Sequence, residues 1–96
     1  MQSGLKLEII VDQLHVPTVI RILEKTKVEG YTIIRGLTGS GDRGEKDGEG
    51  LTGLFSNAMI IVACEQSDYD DIQEDLRKLF RTIGGICMIQ PIQWLS

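Results

Sequence analysis

Between two runs of β-branched residues lies GSGDRGEKDGEGLTG, positions 39–53, with six glycines, six charged residues and one large apolar side chain, Leu51. Such a segment cannot bury itself. It leaves the core to be built from the rest of the chain. In a protein of 96 residues a connection this long is unusual, and such connections are mostly functional or disordered.

The remaining residues suffice for a core. Apolar residues make up 42% of the chain, enough for a core, so the chain is not globally disordered, and 96 residues fit a single domain, 1–96. The formal charge is −4, with a pI near 4.8. A nucleic-acid module needs a basic face to neutralise phosphates, so this balance argues against one. The longest apolar run, Ala58 to Cys64, has the length of a strand and not of a membrane span. Cys64 and Cys87 fit no zinc spacing, and no metal site is expected. These features lead to the expectation of a soluble cytosolic protein with reduced thiols.

Periodicity sets the order of elements. Leu5, Leu7, Ile9 and Val11 alternate with polar residues, as in a strand. Pro17 suits the first turn of a helix, Val16, Val19, Ile20 and Leu23 recur at helical spacing, and Gly30 offers a stop. Tyr31 to Leu37 reads as a second strand and Phe55 to Cys64 as a third. Ser67 and Asp70 resemble a capping box. Tyr69, Ile72, Leu76, Leu79, Phe80 and Ile83 then form an apolar helical stripe that Gly84-Gly85 ends, and Ile86 to Leu95 reads as the fourth strand. The result is βαββαβ, an α+β ferredoxin-like fold: a four-stranded antiparallel sheet, order 4-1-3-2, with both helices on one face and a long link between strands two and three. The other face has no cover from this chain, so oligomerisation is expected. Strand one separates the two cysteines, and no disulfide is expected.

Few residues carry chemistry. The glycines of 39–53 permit backbone N–H groups to converge on an anion, with Ser40 and Arg43 adding a hydroxyl and a guanidinium. Gly84-Gly85 is a helix stop that also allows close backbone approach to a ligand. His15 is the only histidine, so no catalytic triad is supported, no general base stands out, and an enzyme is not expected. Asp68, Asp70, Asp71, Glu74 and Asp75 suit the positive end of the second helix. Met59 and Met88 read as sheet-face packing, and Trp94 as an interface or lid residue.

Gly30 to Gly44, GYTIIRGLTGSGDRG, resembles the second strand and the start of the T-loop of P-II signalling proteins, in particular the P-II-like branch that includes SbtB and the carboxysome-associated P-II proteins. Gly30-Tyr31-Thr32 is similar to the family's strand opening, and Gly39 to Arg43 to its G-x-G-x-R element. The later strand, the acidic helix and Gly84-Gly85-Ile86 fall where that family places them.

The resemblance implies a non-catalytic homotrimer that binds an adenine nucleotide (AMP, ADP, ATP or cyclic AMP) in the clefts between subunits, with bicarbonate or a divalent cation as candidate co-ligand. Carried over by position, Thr32 and the Ala63–Cys64 edge would hold adenine, while Gly39, Ser40, Gly41 and Arg43 would hold phosphates. Gly84 and Gly85 would approach the phosphates from the neighbouring side. The T-loop, about 39–53, would order with the ligand and control a target: a membrane transporter for bicarbonate or another anion, or a carbon-metabolism complex. The protein would be cytoplasmic, peripheral at the membrane only through that transporter. Nitrogen-sensing members carry a lysine-bearing turn before the last strand, whereas Thr82 to Cys87 (TIGGIC) has none. With fewer cations for a polyphosphate, AMP, ADP or a cyclic nucleotide should compete well with ATP. The alternative reading is a ferredoxin-like trimer that binds a metal ion or small metabolite, or serves as an assembly scaffold.

Overall fold

The structure, a computed structural model, describes residues 1–28, 30–41, 44–46 and 56–96. Strand β1 (Gln2–Asp12) is the organising element because it pairs on both sides, with β5 (Asn57–Cys64) and with β6 (Ile86–Trp94). Strand β2 (Thr32–Leu37) joins the far side of β5, giving the order β2-β5-β1-β6 with all pairs antiparallel. This is the order expected from the sequence.

Alternation divides the sheet into two faces. Leu5, Leu7, Ile9 and Val11 of β1 and Ala58, Ile60, Val62 and Cys64 of β5 are buried beneath the helices. Helix α1 (Val16–Leu23) adds Val16, Val19, Ile22 and Leu23, and helix α2 (Gln66–Ile83) adds Ile72 and Leu76. These positions follow the 3.6-residue period, so each helix presents one apolar stripe to the sheet. Asp12 starts the crossover: its carboxylate accepts a hydrogen bond from the Leu14 N–H at 3.0 Å, opening a 3₁₀ turn (Gln13–His15) that leads into α1, where Pro17 sits in the first turn.

Three local expectations are corrected. Helix α1 stops at Leu23 rather than running on towards Gly30. The Thr26 hydroxyl donates to the Leu23 carbonyl at 2.9 Å and accepts from the Val28 N–H at 3.2 Å, so a side chain takes over bonds the helix would have made. Helix α2 is capped at Glu65, not at Ser67: Asp68 accepts from the Glu65 N–H at 3.1 Å, because β5 runs to Cys64 and the helix starts at once. The glycine-rich segment is not wholly irregular either. Gly39–Gly41 (β3) pairs with Gly44–Lys46 (β4) in a small second sheet. Arg43 and residues 47–55 lie outside the described residues.

The face of the sheet turned away from the helices is apolar and uncovered. Ile34, Ile86 and Met88 are 41%, 51% and 43% exposed there. Trp94 lies on this face with its ring against Gly4. At the centre, Lys6 and Glu8 of β1 form an ion pair of 3.0 Å. Met59 and Met88 point to this face and not into the core.

Both cysteines are free thiols. Cys64 stands opposite Leu5 and Cys87 opposite Ile9, on different sides of β1, so they cannot be bridged. Burial, then the Asp68 carboxylate, pushes the Cys64 thiol up to about 11. Burial, then Cys64, pushes Cys87 up to about 11. Since a thiol ordinarily titrates near 9, the folded chain holds these protons more tightly than the unfolded one. Their contribution to stability is therefore present below pH 9 and is lost as pH rises towards 11. The expected result is a midpoint of urea unfolding that falls across this window, and two titratable thiols that react slowly with an aromatic disulfide reagent until the chain is unfolded. A single or absent thiol in the unfolded chain would contradict the reduced state of the two cysteines.

Candidate functional site

Of the sequence-derived binding residues, Thr32, Ala63 and Cys64 fall on the β2–β5 side of the sheet, Gly39, Ser40 and Gly41 lie in the small second sheet, Gly84 and Gly85 precede the edge strand β6, and Arg43 is outside the described residues. Thr32 opens the edge strand β2 and pairs with Ile61. Ala63, two positions further along β5, lies diagonal to it on the same uncovered face, and both are exposed. Such diagonal neighbours have Cβ atoms within about 7–8 Å, so Thr32 and Ala63 can contact one flat ligand. Cys64 is different. Its side chain is buried in the core, and only its main chain is available to a ligand.

At its other end β2 is interrupted. The register shifts between Ile34 and Leu37, where Gly36 has φ of 74°. This bulge bends the chain away from the sheet just before Gly39, Ser40 and Gly41, which form β3.

The Gly84-Gly85 turn lies at the same end of the sheet as this loop base. Leu37 pairs with Asn57, Asn57 with Asp12, and Ile86, directly after the turn, with Ile10. The turn is nevertheless on the opposite edge: β2 and β6 are three strand spacings apart, about 14 Å. One copy of the chain thus brings Thr32 and Ala63 together and sets the loop base further along the same edge. It does not bring Gly84 and Gly85 to them.

Both glycines of the turn have positive φ, 79° and 111°, which a side chain would oppose. The Gly84 N–H closes α2 by donating to the Phe80 carbonyl at 2.8 Å. Next to Gly85, a groove of about 420 Å³ runs between α2 and β6. Leu76, Phe80 and Ile89 give it an apolar floor, and Arg77 and Arg81 stand on its rim. The two arginines share one carboxylate. Glu74 lies 3.0 Å from Arg77 and 3.9 Å from Arg81, so among the described residues one positive charge of the pair is left uncompensated. The sequence reading passed over both residues. Their spacing of four, beside the apolar stripe of α2, was the available signal, because residues i and i+4 share a helix face.

Among the described residues, no three His, Cys, Asp or Glu side chains gather as a metal site would require. No helix among them is long and apolar enough to cross a membrane.

Comparison with solved structures gives a consistent picture. The chain is similar to CPII, a nitrogen regulatory PII-like protein from Thiomonas intermedia K12, in its complex with ADP, AMP and bicarbonate, at 28% identity with a TM-score of 0.91, covering 97% of this chain and 89% of that one. The apo form of the same protein is 26% identical with a TM-score of 0.79, covering 97% and 92%. A putative PII-like signalling protein from Thermus thermophilus shares the fold at 16% identity, with a TM-score of 0.72 and coverage of 96% and 90%. A search of curated protein sequences finds no significant match. The family model described as nitrogen regulatory protein P-II matches residues 5–95, from the first buried leucine of β1 to just beyond β6. With the strand order, the bulged entry to the glycine-rich segment and the double-glycine turn all accounted for within that span, the chain belongs to the P-II family.

Proposed function

We propose that this protein is a non-catalytic regulator of the SbtB-like P-II branch: a homotrimer that binds an adenine nucleotide in each cleft between subunits, with bicarbonate as a co-ligand. The observation that carries this reading is the likeness, over nearly the whole chain, to a relative whose structure holds ADP, AMP and bicarbonate. The placement of the residues supports it. An apolar sheet face with a central ion pair calls for further copies of the chain to cover it. Copies set around that face bring the β6 edge of one against the β2 edge of the next. Gly84-Gly85 then meets Thr32, Ala63 and the loop base across the cleft, which no single copy achieves. Cys64 contributes main chain only.

The nucleotide acts through the segment at 39–53. A ligand shifts that segment only by its difference in affinity for the two conformations, and contacts from Ser40 and Arg43 made in one of them supply about 1–3 kcal/mol. The segment then presents a docking surface to a target, a transporter for bicarbonate or another inorganic anion or a carbon-metabolism complex. The protein acts in the cytosol and reaches the membrane through that transporter.

Calorimetry with AMP, ADP, ATP and cyclic AMP tests the reading. Arg43→Ala is expected to weaken binding at least several-fold without altering assembly, and equal affinities would remove Arg43 from the site. Limited proteolysis within 39–53 is expected to slow when nucleotide is added. Identical cleavage rates with and without saturating ligand would overturn the switch.

A further inference from the structure

We propose that Arg77 and Arg81, on the rim of the groove between α2 and β6, form an oxyanion site that holds the distal phosphoryl group of a nucleoside diphosphate. The inference rests on the functional reading above and adds cations on the β6 side of the cleft to the Arg43 that reading assigns. The turn from Thr82 to Cys87 has no lysine, so the double glycine offers a phosphate only main chain. Both guanidinium groups border the same groove as Gly85, and the turn and the cations thus open onto one space.

The chemistry of the groove matches such a ligand. A single carboxylate, Glu74, is shared between two guanidinium groups, and the longer contact, 3.9 Å to Arg81, is outside hydrogen-bonding range. Arg81 therefore has donors to offer without losing a hydrogen bond to Glu74. Guanidinium groups recognise phosphoryl oxygens through paired N–H donors, and such charge-assisted bonds are among the stronger polar contacts. The floor formed by Leu76, Phe80 and Ile89 lowers the local dielectric, which strengthens the attraction. A volume of about 420 Å³ exceeds what a phosphoryl group alone needs. The surplus leaves room for a neighbouring copy to bring in the rest of the ligand.

A free oxyanion such as bicarbonate offers the same kind of acceptor atoms and a negative charge, so the experiment separates the two sources. Affinities of ADP, AMP and adenosine are measured by calorimetry on the full chain and on Arg81→Ala, Arg77→Ala and Glu74→Gln, with the mass of each assembly checked by light scattering. Losing one guanidinium contact should weaken ADP about tenfold, weaken AMP much less and leave adenosine unchanged. Glu74→Gln removes the competing carboxylate, so ADP should bind several-fold more tightly. A merely structural role for the arginines would not give this opposite sign.

Equal losses for ADP and adenosine, or ADP affinities unchanged in both arginine variants, would overturn the site while leaving the nucleotide reading in place. A wild-type chain that binds neither ADP nor AMP would overturn that reading, and this inference with it. If bicarbonate in the presence of AMP binds wild type tenfold more tightly than Arg81→Ala, while ADP binds both alike, the site takes the free anion and the assignment to the diphosphate is wrong.

Discussion

Gly85→Ala is expected to destabilise the fold by about 2–4 kcal/mol, the combined cost of a strained backbone and a blocked contact. Gly85 has φ of 111°, and a Cβ there would lie 2.9 Å from the Ile10 carbonyl oxygen, 3.0 Å from Val11 Cγ1 and 3.1 Å from Phe80 Cδ1. Relief would require the carbonyl to move. Ile10, however, is held between Met59 on β5 and Ile86 on β6. Phe80 cannot swing freely either, since it packs against the core. In a chain of this size the loss should lower the melting temperature by roughly 10–25 °C. Gly30→Ala is the control. Nothing lies within 4 Å of its would-be Cβ and its φ is not positive, so that substitution should be neutral or slightly stabilising. If the two variants melt together, position 85 does not require a glycine. The prediction also reaches function, because the strain that excludes a side chain from this turn is what leaves its main chain open to a ligand.

Much of the fold could be read from the sequence because its elements are locally consistent. The alternation in β1 and the stripe of α2 each have one answer, and together they fix the face each element buries. Features that depended on competition between nearby groups were misread. Thr26 ends α1 early by capturing the Leu23 carbonyl, and no propensity scale contains that bond. Glu65 and Asp68 took the places of Ser67 and Asp70 as the capping pair of α2 because the preceding strand left no free residues, which is a tertiary fact.

The site was only half legible, for a similar reason. Glycines announce themselves, since φ above zero at Gly84 and Gly85 permits few other residues. The resemblance carried over the Ala63–Cys64 edge as a pair, whereas neighbours on a strand face opposite ways, so Ala63 is exposed and the Cys64 thiol lies in the core. Arg77 and Arg81 look like any solvated pair until β6 is placed beside them and a groove appears. That the two halves of the proposed site would lie on opposite sides of the sheet also follows from strand order, which local sequence does not encode.

Met88→Asp is expected to convert the assembly to monomers and to abolish nucleotide binding while leaving the chain folded. Met88 is 43% exposed on the uncovered face and stands opposite Glu8. In an isolated chain the new carboxylate stays largely in water, and its repulsion from Glu8 should cost no more than about 1 kcal/mol. In an assembly packed around that face the same group loses its water beside a second carboxylate. Each unpaired buried charge costs several kcal/mol, and every copy contributes one. Light scattering at micromolar protein should report the monomer mass with an unchanged far-ultraviolet circular dichroism spectrum. Separation of the β2 and β6 edges should then weaken ADP by more than about a hundredfold, although none of the proposed ligand contacts is altered. Leu14→Asp supplies the comparison: Leu14 is 56% exposed but lies in the 3₁₀ turn before α1, so it should remain assembled and bind ADP as wild type does. A Met88→Asp protein with the wild-type mass would show that this face is not where copies meet, and the cleft would have to be built another way.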